Sequence, residues 1–184
     1  MVPFVIIIAV VAIIGIMMYN TLVRRQNAVE QAFGTIDVQL TQRYDLIPKL
    51  VETVRQFMTH ERSLLEDIVR LRSQAMSGQT TGEKVAANNE LTAALGRLNV
   101  QVENYPQLRS SDTFVVLQRS LNEVEEQLAA ARRSYNAAVT EYNNSVESFP
   151  SSLVAGMGGF RGKEVFAADA QKRSDVDMKA LFKA

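Results

Sequence analysis

His60 and Glu61 are the neighbouring side chains in this sequence best suited to metal chemistry. An H-E-x-x-H zinc site needs a second histidine one helical turn on, so that both rings share a face with the glutamate as general base. Position 64 is Leu64, and the chain holds one histidine and no cysteine. The pair therefore reads as interrupting a seam or turning a helix. Gly156-Met-Gly-Gly-Phe-Arg-Gly162 has the look of a phosphate loop. A dinucleotide fingerprint wants G-x-G-x-x-G between a strand and a helix, but Arg161 stands where the third glycine belongs and no strand pattern precedes it. Asp175-Val-Asp177 lacks the glycine and distal glutamate of a calcium loop. Without cysteine there is no thiol nucleophile, thiolate ligand or disulfide. No nucleophile–base pair is visible, so no catalytic residue, cofactor site or metal ligand is assigned. Asn143-Asn-Ser145 matches a glycosylation sequon but falls within a helical pattern, and Arg132-Arg133 reads as a solvated helix face.

What remains is apolar surface. Val2 to Tyr19 carry no charge, and about 20 such residues span a bilayer core of about 30 Å. Within this expected membrane anchor, Val2, Phe4, Ile8 and Ile14 face lipid, and Tyr19 closes the run where an amphipathic ring suits the interface. Arg24 and Arg25 follow as headgroup anchors. A cleaved signal peptide would want basic residues before the run and small residues at its end, yet Met1 leads straight into the run and Met17-Met18-Tyr19 is not a small-residue site. The positive-inside rule puts the following domain in the cytoplasm.

The elements behind the anchor read as helices with three–four spacing. One seam runs Leu22, Gln26, Val29, Phe33, Ile36, Leu40, Tyr44, Ile47, Val51, Val54, Met58 and resumes at Leu65, Ile68 and Leu71. Pro48 sits inside it, so the helix either kinks near Tyr44 or restarts with Asp45 as cap. Ser77 to Gly82 is a loop. A helix through Val85, Leu91, Leu95, Leu98 and Val102 ends at Tyr105-Pro106. Ser110, Ser111 and Asp112 are candidate caps for the last long helix, with Asp112 the best fit. Its seam runs from Phe114 through Leu121, Leu128, Tyr135 and Tyr142 to Phe149, and Pro150 stops it. Leu153 to Phe160 is glycine-rich and apolar. Such a segment docks on a partner, a second subunit or lipid, or folds back over the bundle end.

Taken in order along the chain, these motifs resemble the LemA family of bacterial membrane proteins. The resemblance rests on Tyr19-Asn-Thr-Leu22, Ile36-Asp-Val-Gln-Leu40, Arg43-Tyr-Asp-Leu-Ile-Pro-Lys-Leu-Val51, His60-Glu61, Tyr105-Pro106, Ala131-Arg-Arg-Ser-Tyr-Asn136, Tyr142-Asn143, Phe149-Pro150 and Gly159-Phe160. Phe33 replaces a tryptophan common in the family, and Lys49 an asparagine. The resemblance implies an up-and-down helical bundle behind a membrane anchor and supplies no settled activity. Lipoprotein-like relatives imply a domain outside the cytoplasm, so a periplasmic placement is the alternative.

The expected fold is thus all-α: a transmembrane helix over residues 1–23, an up-and-down antiparallel bundle of long helices over 24–150, and an apolar segment with a tail over 151–184. With 20 basic and 20 acidic residues, no net field steers the chain to nucleic acid. The expected function is a non-enzymatic, single-pass scaffold of the bacterial inner membrane. Its partners are membrane lipids and copies of itself in a ring or cage, or another membrane protein. Val29, Phe33, Leu153, Met157 and Phe160 are the expected assembly contacts. A membrane-linked hydrolase, or a pore or transporter subunit, is the rival reading.

Overall fold

Six helices account for nearly all of residues 2–78 and 81–166, which the computed structural model describes. They are α1 (Val2–Arg55), α2 (Arg62–Ser77), α3 (Thr81–Val102), α4 (Pro106–Arg109), α5 (Asp112–Glu147) and α6 (Ser151–Gly158). No strand occurs among the described residues. The side chains of Val2 and Val85, the pair Asp175 and Asp177, and the tail from Asp169 onward lie outside the described residues.

Pro48 does not break α1, which runs through it for 54 residues. Proline has no N–H to give the carbonyl four residues back, so the Tyr44 carbonyl loses its helical donor. Arg72 of α2 supplies one instead: its Nε donates to the Tyr44 oxygen at 2.6 Å. Asp45 consequently caps nothing and lies exposed, while Ile47 is fully buried beside it.

The chain divides into two compact units. One comprises Ile36–Ala129 and is a helical bundle built from the second part of α1, from α2, α3 and α4, and from the first part of α5. Ile47, Val54, Ile68, Leu91, Leu98, Leu108 and Phe114 form its centre. The seam spacing places these residues on one face of each helix, and burying that face is what makes the helices stable. His60 and Glu61 stand in the turn between α1 and α2, with His60 exposed. The loop expected over Ser77–Gly82 is shorter than its sequence suggests, because α3 already opens at Thr81. Asp112 is the first residue of α5 rather than its cap, and the Ser111 carbonyl accepts the bond from the Val115 N–H.

The other unit comprises Met1–Thr35 and Ala130–Ala184. In it the first part of α1 pairs with the last part of α5. Val29, Val139 and Tyr142 are its buried centre, with Ala138, Val146 and Phe160 packed around them. The last seam stops short of its expected end. α5 finishes at Glu147, the chain turns at Ser148 to Pro150, and Phe149 is left 80% exposed. The glycine-rich segment that follows is the helix α6, closed by Gly159 in the left-handed region at φ +73°.

Candidate functional site

The unit holding residues 1–35 carries the chain's unusual surface. Among the described residues α1 is the one helix long and apolar enough to cross a membrane. Its first turns are bare on all sides: Phe4 is 67% exposed, Ile8 53% and Ile14 45%. A helix apolar all round has no water-facing side, so this surface suits lipid or another protein.

Below the apolar run the helix is braced by an extended strap, residues 159–166. Two asparagines of α5 hold it. Asn143 donates from Nδ2 to the Lys163 carbonyl at 2.8 Å and accepts the Lys163 N–H at Oδ1 at 2.9 Å. Asn136 does the same with Phe166, at 3.0 and 2.8 Å. Each side-chain amide thus pairs with the strap as a neighbouring strand would, satisfying backbone groups that a loop otherwise leaves to water. Asn136 and Asn143 are two helical turns apart and so share a face.

Aromatic rings fix the strap's ends. Phe166 stacks on Phe33 at 6.4 Å and meets Tyr135 edge-on at 4.9 Å. Phe160 meets the Tyr19 ring edge-on at 5.5 Å. Lys163 reaches Glu30 at 3.5 Å and lies over the Tyr142 ring at 5.8 Å. The Tyr135 hydroxyl donates to the Glu164 carbonyl at 3.2 Å. Burial, with a smaller contribution from the Glu164 charge, raises the Tyr135 phenol above its ordinary value. Burial also raises Tyr142, partly opposed by a backbone hydrogen bond from Arg161.

The residues expected to make assembly contacts separate here. Val29 is buried against its own chain, and Phe160 is packed on Tyr19. Phe33 is 40% exposed but carries the Phe166 stack. Leu153 and Met157 are free surface, Met157 at 92% exposure.

The bundle unit holds a polar layer that the seams do not reveal. Arg43 is 1% exposed. Its Nη2 meets Glu125 at 2.6 Å and donates to the Thr92 hydroxyl at 2.8 Å. The Asn88 amide donates to the Tyr44 hydroxyl at 2.8 Å. Beside Arg43 and Glu125 lies a cleft of about 260 Å³, reached by Asn99, Gln118 and Asn122 and widened by Gly96, which has no side chain. Arg43 thus ties α1 to Thr92 of α3 and to the half-exposed Glu125 of α5, a placement that fixes helix register more than it adds stability. Among the described residues no group of three His, Asp or Glu is placed to hold a metal, and His60 stands apart from this layer.

Arg43, Arg72, Asn136 and Asn143 are the residues that reading periodicity passes over. One signal was present for the last two: the dipeptide Tyr-Asn recurs at 135–136 and 142–143, seven residues apart. Polar residues repeating in phase with a buried tyrosine point to a second segment lying along that face.

The LemA family model matches residues 32–179. The chain is similar to the protein LemA of Metamycoplasma hominis, at 25% identity over 88% of this chain and 74% of that protein. It is also similar to the magnetosome protein MamQ 2 of Paramagnetospirillum magneticum, at 27% identity over 87% of this chain and 69% of that protein. A further magnetosome protein, MamQ of Magnetospirillum gryphiswaldense, is 26% identical over 82% of this chain and 65% of its own length. None of these names is that of an enzyme.

Proposed function

The chain belongs to the LemA family, and from that premise we propose that it is a non-enzymatic scaffold of the bacterial inner membrane, held by one helix and assembled into a homo-oligomer. The observation that carries the reading is the bare apolar surface of α1 from Phe4 to Tyr19. Burying it in lipid stabilises by about 25 cal/mol for each Å² removed from water, and the fold of a single copy leaves it uncovered. Confinement to a bilayer raises the effective concentration of copies, so weak contacts suffice for assembly. Identical chains with one orientation in the bilayer associate about an axis along the membrane normal, and contacts that are heterologous rather than two-fold close into a ring or cage or grow without limit. Binding to another membrane protein is the other service such a scaffold performs. The relatives' names, LemA and magnetosome protein, are not enzyme names. Arg24 and Arg25 favour a domain on the cytoplasmic side.

Two measurements test the proposal. The protein should stay with membranes through carbonate extraction, and its particle in mild detergent should have the mass of several chains. A particle of single-chain mass at concentrations near those in the membrane overturns the assembly, and release by carbonate overturns the anchor.

A further inference from the structure

In the unit that carries the apolar run, α1 and α5 are antiparallel. Phe33 meets Tyr135 ring to ring, and Arg25 donates from Nη1 to the Glu141 carbonyl at 2.6 Å. Moving toward the start of α1 therefore means moving toward the end of α5. Continued in register, the turn at Ser148 to Pro150 arrives near the level of Tyr19. α6 then finishes against that same residue. A Cβ on Gly158 would lie 3.3 Å from the Tyr19 ring and 2.7 Å from the Phe160 ring, so the close approach requires glycine there. Gly159, at positive φ, turns the chain back along α5 to the two asparagines. Whatever plane Tyr19 occupies, α6 lies beside it.

The surface of α6 is chemically one-sided. Ala155 is buried against its own unit. Leu153 and Met157, one helical turn apart, point the other way at 62% and 92% exposure. From Ser148 to Phe160 there is no charged residue. Basic side chains resume just past this band: Arg161 and Lys163 on the strap, Arg24 and Arg25 on α1. Arg24 is five residues from Tyr19, about 7.5 Å along the helix axis. That is the order found at a bilayer surface, with apolar side chains first, an interfacial aromatic ring, then cations at the depth of the phosphates.

We infer that α6 is a second membrane contact, seated in the lipid headgroup region with Leu153 and Met157 turned into the acyl chains. Lipid is the occupant this surface fits, because the patch is continuous with the end of the apolar run and carries no charge to set the register of a protein partner. Its consequence is orientation. A single helix leaves a domain free to spin and tilt about its anchor, whereas a helix and a side contact together fix one face of the membrane-proximal unit toward the bilayer. The inference rests on the reading of Phe4 to Tyr19 as a membrane span, and the control below separates the two.

The chain has no cysteine, so single substitutions label cleanly. The full-length protein carrying Leu153→Cys or Met157→Cys, an environment-sensitive fluorophore on the thiol, is reconstituted in vesicles of phosphatidylethanolamine and phosphatidylglycerol. Ile8→Cys marks the span and Glu126→Cys the exposed surface of the bundle. Quenchers attached to lipid near the headgroup, quenchers deep in the acyl chain, and aqueous iodide are compared. The labels at 153 and 157 should be blue-shifted and lose most of their emission to the shallow quencher. The label at 8 should respond to the deep one, and the label at 126 to iodide. If the label at 8 responds only to iodide, the span itself is wrong and the inference falls with it. If the label at 8 is deep while those at 153 and 157 respond to iodide, the span stands and α6 is not a membrane contact. Shielding from both lipid and iodide that disappears on diluting protein into excess lipid would assign the patch to a second copy and overturn the lipid reading.

Discussion

Pro48 and Arg72 should be energetically coupled, and the size of the coupling tests the account of why α1 survives its proline. The Tyr44 carbonyl has lost its helical donor to Pro48 and accepts from the Arg72 guanidinium at 2.6 Å. A hydrogen bond from a charged donor contributes about 1.5–3 kcal/mol, and this one is only part-buried, so Arg72→Ala should cost about 1.5–2 kcal/mol. Pro48→Ala restores a backbone N–H at that position and removes the ring clash, recovering up to about 3 kcal/mol, less about 0.4–1 kcal/mol for the freer unfolded chain. With the helical donor back, Arg72→Ala in the Pro48→Ala background should cost only about 0.5 kcal/mol, the low end for a hydrogen bond whose acceptor keeps another donor. The coupling is then about 1 kcal/mol or more. Effects on the unfolded state cancel in it, because the same proline change appears on both sides of the cycle. Urea unfolding of the protein lacking residues 1–21, followed by far-UV circular dichroism, reads this directly. With a slope of about 1–3 kcal/mol per molar, the larger loss moves the midpoint by roughly 1 M. Equal losses from Arg72→Ala in both backgrounds would refute the reasoning and return Arg72 to an ordinary surface contact.

Leu98→Ala and Leu128→Ala, at positions buried to 1% and 0% exposure, should each cost about 2–5 kcal/mol in the same assay. Leu153→Ala, on the exposed face of α6, should stay within about 0.5 kcal/mol. Asn136→Ala with Asn143→Ala should release the strap, seen as faster amide exchange at Lys163 and Phe166 while the bundle core stays protected. The strap should also loosen in strong alkali. Tyr135 and Tyr142 have folded values above the ordinary phenol, so their contribution is present below about pH 10 and is lost as pH rises through the folded value. Tyr135→Phe should remove the part due to the hydroxyl–Glu164 bond. Constant protection of the Phe166 amide across that range, relative to its intrinsic base-catalysed rate, would exclude the tyrosine from holding the strap.

The all-helical architecture was legible because burial has a period. Leu22, Val29, Ile36, Ile47, Val54 and Met58 repeat at helical spacing and are all buried. So do Phe114, Leu121, Leu128 and Tyr142 on α5. Periodicity says which face is covered but not by what, so it could not decide whether Pro48 broke the helix. The deciding partner, Arg72, lies on another helix. It also overran the end of α5, since Phe149 continues the spacing although the chain has already turned at Ser148. Glycine content gave no sign of the helix α6, which forms across Gly156 and Gly158 despite the entropy that glycine loses there and closes against Tyr19 and Phe160.

The polar residues were the least legible, for a physical reason that bears on function. Asn136 and Asn143 recognise backbone, and backbone has no sequence signature. Their pairing with residues 163 and 166 leaves the strap's own side chains free to do other things: Phe166 stacks, Lys163 neutralises Glu30 above the Tyr142 ring, and Phe160 grips Tyr19. Tyr19 ends the apolar run, so a strap fixed to α5 by its backbone holds the last turn of that run to α5 as well. Movement of α1 about Tyr19 must therefore strain either the ring contact or the asparagine pairs. The scaffold proposed above would draw on such a brace, whereas a simple tether would need only the apolar helix.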